Sequence, residues 1–107
     1  MRIAEISAKE AAELLKSQPE VKLLDVRTDD EARTAKIAGS ILVNDDKRLR
    51  EVLAWPKNTL MVVHCHHGGR SRRACGFFMS KGFKNVLNLA GGIDSWSKDI
   101  DPKIPRY

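Results

Sequence analysis

The chain of 107 residues is short of several features that would assign it to a large class of proteins. It has only two cysteines, Cys65 and Cys75. Two thiols are too few for a disulfide framework, so a reducing compartment, the cytoplasm, is expected. No apolar run approaches the roughly 20 residues that a membrane helix needs. The opening MRIAEISAKE has no apolar stretch of the kind a secretory leader carries, so no membrane partner is expected. No Lys/Arg block with interleaved aromatics appears, which argues against nucleic acid as a partner. Repeats, low-complexity tracts and linkers are also missing, and residues 1–107 therefore read as one domain. Charge of one sign is in modest excess: the net charge of +5 favours anionic small molecules or acidic partner surfaces.

What is present is a regular alternation of strand and helix signals. Arg2 to Glu5 reads as a short strand. Ser7-Ala8-Lys9-Glu10 fits a capping box, opening a helix to about Ser17 with Ala11, Leu14 and Leu15 as its buried stripe. Val21 to Val26 is a compact apolar strand, and a second box, Thr28-Asp29-Asp30-Glu31, starts a short helix that fades near Ala35. Ser40 to Val43 predicts a strand, and Asp45 to Leu53 a helix ending before Trp55-Pro56. Thr59 to His64 (TLMVVH) is apolar on both faces, as in a parallel sheet covered on both sides by helices. A helix from about Ser71 to Lys81 stops at Gly82, Asn85 to Leu89 is the last strand, and Gly91-Gly92 leads into a final helix carrying Ile93 and Trp96. This alternation implies βαβ units, hence an α/β fold with a parallel sheet. Such sheets bind ligands at the carboxyl ends of their strands, and Cys65 stands at one of these ends.

The segment Cys65-His66-His67-Gly68-Gly69-Arg70-Ser71 joins that strand to a helix. The amides of His66 through Ser71 can curl around the sulfur as an anion-binding nest, with the positive helix end behind them. Arg70, Arg72 and Arg73 add charge nearby. Each effect favours the thiolate, which should bring the thiol from about 8.5 into the range of roughly 3.5–7.5 found for activated cysteines. Gly68 and Gly69 supply the positive φ angles that a tight ring demands.

Several stretches together resemble the rhodanese family of sulfurtransferases: Leu24-Asp25-Val26-Arg27 with Glu31, the CHHGGRS loop, Gly82-Phe83-Lys84-Asn85-Val86, and Gly91-Gly92-Ile93-Asp94-Ser95-Trp96. The likeness covers about residues 5–97. It implies a three-layer α/β/α fold with a mainly parallel sheet of five strands, and it implies Cys65 as the nucleophile, with His66, His67, Gly68, Gly69, Arg70 and Ser71 forming the persulfide-binding loop. The implied reaction takes sulfane sulfur from a donor such as thiosulfate and passes it to a thiol, cyanide or a protein acceptor. Arg70 would attract the anionic donor, and no cofactor or metal is implied. The tail resembles that of rhodanese domains standing alone or appended to adenylyltransferases that serve sulfur carriers. One stretch departs from the family: Ala35-Lys36-Ile37-Ala38-Gly39-Ser40 stands where Gly-His-Ile-Pro-Gly-Ala is common.

Other readings compete at particular residues. Cys75, five residues into the helix, reads as a passive core thiol and alternatively as a resolving cysteine. Consecutive His64, Cys65, His66 and His67 make a poor metal cluster, because neighbours in a tight turn rarely converge on one ion. His66 and His67 are expected to flank the mouth, solvated, lending backbone rather than side chains. Arg27 is expected to pair with Glu31 four residues on. A phosphatase is the rival enzyme, but the count separates the two: four residues lie between Cys65 and Arg70, and phosphatases of this architecture carry five. A non-enzymatic sulfur relay would have the same loop.

Overall fold

The computed structural model describes residues 2–107. Five strands, β1 (Ala4–Ile6), β2 (Lys22–Asp25), β3 (Ile41–Leu42), β4 (Met61–His64) and β5 (Val86–Leu89), alternate with five helices. The helices are α1 (Ala8–Ser17), α2 (Asp29–Thr34), α3 (Asp46–Leu53), α4 (Gly69–Ser80) and α5 (Gly92–Asp99). The strands form a single sheet in the order β1-β5-β4-β2-β3, and every pairing is parallel.

Alternation along the strands builds two cores. Leu23, Val62 and Leu89 face one side, where Ala8 and Ala11 of α1 and Ile93 and Trp96 of α5 cover them. Leu24, Met61, Val63 and Val86 face the other, against Val52 of α3 and Cys75 and Phe78 of α4. A strand packed by helices on both faces has no polar side to show, which is why MVVH of β4 is buried at every residue. The result is the expected three-layer α/β/α arrangement.

Both expected capping boxes are present. Ser7 and Glu10 exchange hydrogen bonds at the start of α1, as do Thr28 and Glu31 at the start of α2. The strands are a residue or two shorter than their apolar runs, and α4 begins earlier than expected. Gly68, at φ 112°, turns the chain so sharply that Gly69 is already helical, and only Gly68 of the two loop glycines has a positive φ. The positive φ expected at Gly69 is therefore absent.

The topology marks one place on the sheet. After β2 the chain crosses to β3 on one side, whereas after β4 it crosses to β5 on the other. The carboxyl ends of β2 and β4 thus flank a topological switch point, where connections diverge and leave a crevice. In register, Asp25 pairs with His64, so Val26 and Cys65 follow at the carboxyl ends of these neighbouring strands.

Candidate active site

Cys65 follows β4 directly and is 1% exposed. Its Sγ accepts a hydrogen bond from the Gly68 amide at 3.1 Å, and the Ser71 hydroxyl lies 3.4 Å away. Burial works against ionising the thiol, but the Ser71 hydroxyl and the amides of Ser71, Gly68 and Arg70 outweigh it, and the thiol is held below its ordinary value. Of the loop amides expected to face the sulfur, that of Gly68 makes the direct hydrogen bond. The amide and the side chain of Arg70 have separate tasks. The amide serves the nest, while the guanidinium makes two bonds to Glu31, at 2.6 and 2.8 Å.

That pair corrects the expected Arg27–Glu31 bridge. Arg27 is 1% exposed, and its Nε and Nη2 instead grip Asp25 at 2.8 and 2.7 Å. It reaches Glu31 only through the main-chain carbonyl, at 3.3 Å, and a further bond to the Ala35 carbonyl completes its fork. Burying a guanidinium is tolerable because its donors are satisfied in this way. Glu31 is left free for Arg70. The Arg70 guanidinium holds the Glu31 carboxyl far below the usual carboxylate range, against partial burial and with help from the Tyr107 hydroxyl and the Thr28 amide.

Ser71 is held by Asn88, a residue not singled out from the sequence. The Ser71 hydroxyl meets Asn88 Oδ1, and Asn88 Nδ2 donates to the Gly68 carbonyl at 3.1 Å and to Glu5. A polar residue inside the apolar run VLNL of β5, 2% exposed, was the available signal. Helix α5 supplies the other support. Its Ile93 amide donates to the Cys65 carbonyl at 2.9 Å and its Asp94 amide to the His66 carbonyl at 3.2 Å. Gly92 packs so closely there that a Cβ would overlap both carbonyl oxygens. The Gly91-Gly92 turn is therefore part of what shapes the loop.

His64 is fully buried, and burial lowers its imidazole below the ordinary value despite the nearby Asp25. Its Nδ1 lies 3.3 Å from the Cys65 carbonyl. His67 is exposed as expected, but His66 is half-buried rather than solvated. Its ring stacks on His67 at 3.8 Å and on Tyr107 at 3.9 Å. One nitrogen or oxygen from each of His66, His67 and Asp94 falls within 4.8 Å of the others. These side chains make a poor metal site, however. Imidazole lone pairs lie in the ring planes, and planes stacked 29° apart direct them side by side. Asp94 is also occupied by two bonds from Arg106.

Cys75 is completely buried on α4, and burial, with the charge of Glu5 adding to it, pushes its thiol up to about 12. The two thiols therefore sit in opposite environments, one favouring the anion and the other suppressing it.

Similar proteins share both the sequence and this architecture. The chain is 31% identical over 96 residues to a sulfurtransferase of Allochromatium vinosum, with 90% of each chain covered. It is 34% identical over 97 residues to the chloroplastic rhodanese-like/PpiC domain-containing protein 12 of Arabidopsis thaliana; the match takes in 82% of this chain and 31% of the plant protein's length. The crystal structure of a rhodanese-like domain protein from Staphylococcus aureus superposes with a TM-score of 0.79 at 24% identity, covering 98% of this chain and 99% of the other. The family model for the rhodanese-like domain matches residues 7–99. With most of its length matched by that model and by the relatives above, the chain belongs to the rhodanese-like domain family.

Proposed function

We propose that the protein is a sulfurtransferase that carries sulfane sulfur as a persulfide on Cys65, taking it from a donor such as thiosulfate and delivering it to a thiol, cyanide or a protein acceptor. The observation behind this reading is the environment of one atom: Cys65 Sγ sits against the Gly68 amide at 3.1 Å and the Ser71 hydroxyl at 3.4 Å.

The chemistry follows from that cradle. The Cys65 thiolate attacks the outer sulfur of thiosulfate. A new S–S bond forms, the old one breaks, and sulfite departs with the bonding pair. The negative charge now rests on the terminal sulfur of the persulfide, where inward amides stabilise it as they stabilised the thiolate. An acceptor nucleophile then attacks that terminal sulfur, and Cys65 leaves as the thiolate, ready for another cycle. Cyanide becomes thiocyanate and a thiolate becomes a persulfide; no redox partner or cofactor is required. Arg70 would meet the donor anion only by exchanging Glu31 for it, so its contribution is a competition between two anions.

Intact mass spectrometry after thiosulfate treatment tests this reading. The expected result is one added sulfur atom, removable by dithiothreitol and mapped to Cys65. It should be absent from Cys65→Ser. Sulfur found on Cys75, or none with any sulfane donor, would overturn it.

A further inference from the structure

Beyond α5 the chain turns back toward the site. Ile104 is buried and its carbonyl accepts from the Ser97 hydroxyl. Arg106 clamps Asp94 in the first turn of α5, through Nε at 2.9 Å and Nη2 at 3.2 Å. Tyr107 follows immediately, and its side chain is engaged on every functional side. The ring lies on the His66 imidazole with 8° between the planes. The hydroxyl accepts from Arg27 Nη1 at 2.9 Å and donates to Glu31 Oε2 at 2.7 Å. Glu31 is the carboxylate that holds Arg70. One side chain thus joins the first residue of the nucleophile loop to the ion pair at that loop's far end.

This is not the placement of a core tyrosine. Tyr107 is 41% exposed and belongs to neither apolar core, so its ring presents a face to solvent beside the loop. A Tyr ring with two hydroxyl bonds and a stacking partner is a rigid surface, unlike a freely rotating one. Cys65 is 1% exposed, and its loop neighbours His66 and Arg70 are the groups that Tyr107 touches, the first by stacking and the second through Glu31.

We propose that Tyr107 is a specificity-determining residue of this site: stacked on His66 and pinned between Arg27 and Glu31, it is a fixed aromatic wall at the mouth over Cys65. The wall admits slender sulfur acceptors, such as cyanide or the extended end of a thiol-bearing chain, and hinders branched or bulky ones. The identity of the acceptors rests on the persulfide reading above; the wall itself does not.

Two ratios test it in the unmodified protein, Tyr107→Ala and Tyr107→Phe. One is the rate of Cys65 alkylation by a bulky N-substituted maleimide relative to iodoacetamide, with the site of modification mapped by mass. The other is kcat/KM for glutathione relative to cyanide. In Tyr107→Ala both ratios should rise by about tenfold, the lower end of what steric discrimination in a pocket confers. Tyr107→Phe keeps the ring and its stacking, so its ratios should stay within about threefold of the unmodified protein after losing hydroxyl bonds of ordinary strength. Unchanged ratios in Tyr107→Ala would overturn the proposal, as would equal slowing of small and bulky reagents. Failure of the persulfide reading shows itself separately, as no sulfur on Cys65 after thiosulfate, and leaves the alkylation ratio measurable.

Discussion

At the scale of single residues, the two cysteines show how position decides chemistry. Cys65 lies where amides and a hydroxyl face it and hold its thiol below the ordinary value, whereas at Cys75 burial prevails and pushes the thiol up, so the first is the more readily ionised. Alkylation measures this directly, because its rate follows the thiolate fraction and rises as pH passes the thiol's pKa. The midpoint for Cys65 should fall below that of a free thiol. Ser71→Ala removes the hydroxyl whose one proton lies between Cys65 Sγ and Asn88 Oδ1, so its midpoint should move upward. An unmoved midpoint would leave the amides as the sole cause. Cys75→Ala should keep most sulfur transfer and lose roughly 1 kcal/mol of stability, the order expected for removing one or two buried methyl-sized groups. Loss of transfer with the fold and stability intact would instead make the two thiols a redox pair. Cys65 stood out in the sequence because the residues that surround its sulfur, Gly68 and Ser71, follow it within one loop. Its anchors did not. Arg70 and Glu31 are 39 residues apart, Ser71 and Asn88 are 17 apart, and Arg27 and Tyr107 are 80 apart. Charge spacing along the helix suggested Glu31 for Arg27, yet a guanidinium emerging beside β2 finds Asp25 two residues away in bidentate geometry, and that contact wins.

At the scale of elements, the loop is shaped from two sides. Helix α4 contributes amides to the sulfur, and α5 holds the loop's carbonyls through Ile93 and Asp94. The sequence announced both helices, one from about Ser71 to Lys81 ending at Gly82 and the other after Gly91-Gly92, but it did not disclose that the second meets the loop preceding the first. Gly92 is the test of that joint. A side chain there would overlap the Cys65 and His66 carbonyl oxygens, and its φ of 59° is unfavourable to any other residue. Gly92→Ala should slow sulfur transfer markedly and raise the alkylation midpoint of Cys65 by displacing the nest. Normal kinetics in a stable variant would show that α5 is only a packing neighbour. The same loop bears on the rival phosphate chemistry. Four residues separate Cys65 from Arg70, and the Gly68 amide donates to the sulfur at 3.1 Å. A phosphoryl group brings three equatorial oxygens that need inward donors and an in-line approach. Hydrolysis of aryl phosphates should therefore be negligible, with weak inhibition by vanadate. Efficient hydrolysis by the unmodified protein would reverse the assignment of chemistry.

At the scale of the whole molecule, the sheet order explains why the site lies where it does, and the charge explains how an anion reaches it. Chain alternation was enough to infer a parallel sheet with helices on both faces, since β2, β4 and β5 carry apolar residues toward each core. The strand order is a different matter: it depends on which distant strands pair, and no local pattern records that β4 lies between β5 and β2. The divergence of connections there marks the sheet edge at which Cys65 follows β4. Around that edge the nearest cations are already neutralised, Arg27 by Asp25, Arg70 by Glu31 and Arg106 by Asp94. What remains to attract an anionic donor from a distance is the net charge of +5 over the molecule. Long-range attraction is screened as the Debye length contracts from about 10 Å at 0.1 M salt to about 3 Å at 1 M. For thiosulfate, a dianion, kcat/KM should thus decline as potassium chloride is raised, and it should decline less for a monoanionic donor such as an aryl thiosulfonate. The decline should persist in Arg70→Ala, because the paired guanidinium adds little to the field at long range. A salt dependence that vanished in Arg70→Ala would place the attraction in that one side chain, released from Glu31 as the donor arrives. A rate indifferent to salt in the unmodified protein would remove steering altogether and leave capture to the amides alone.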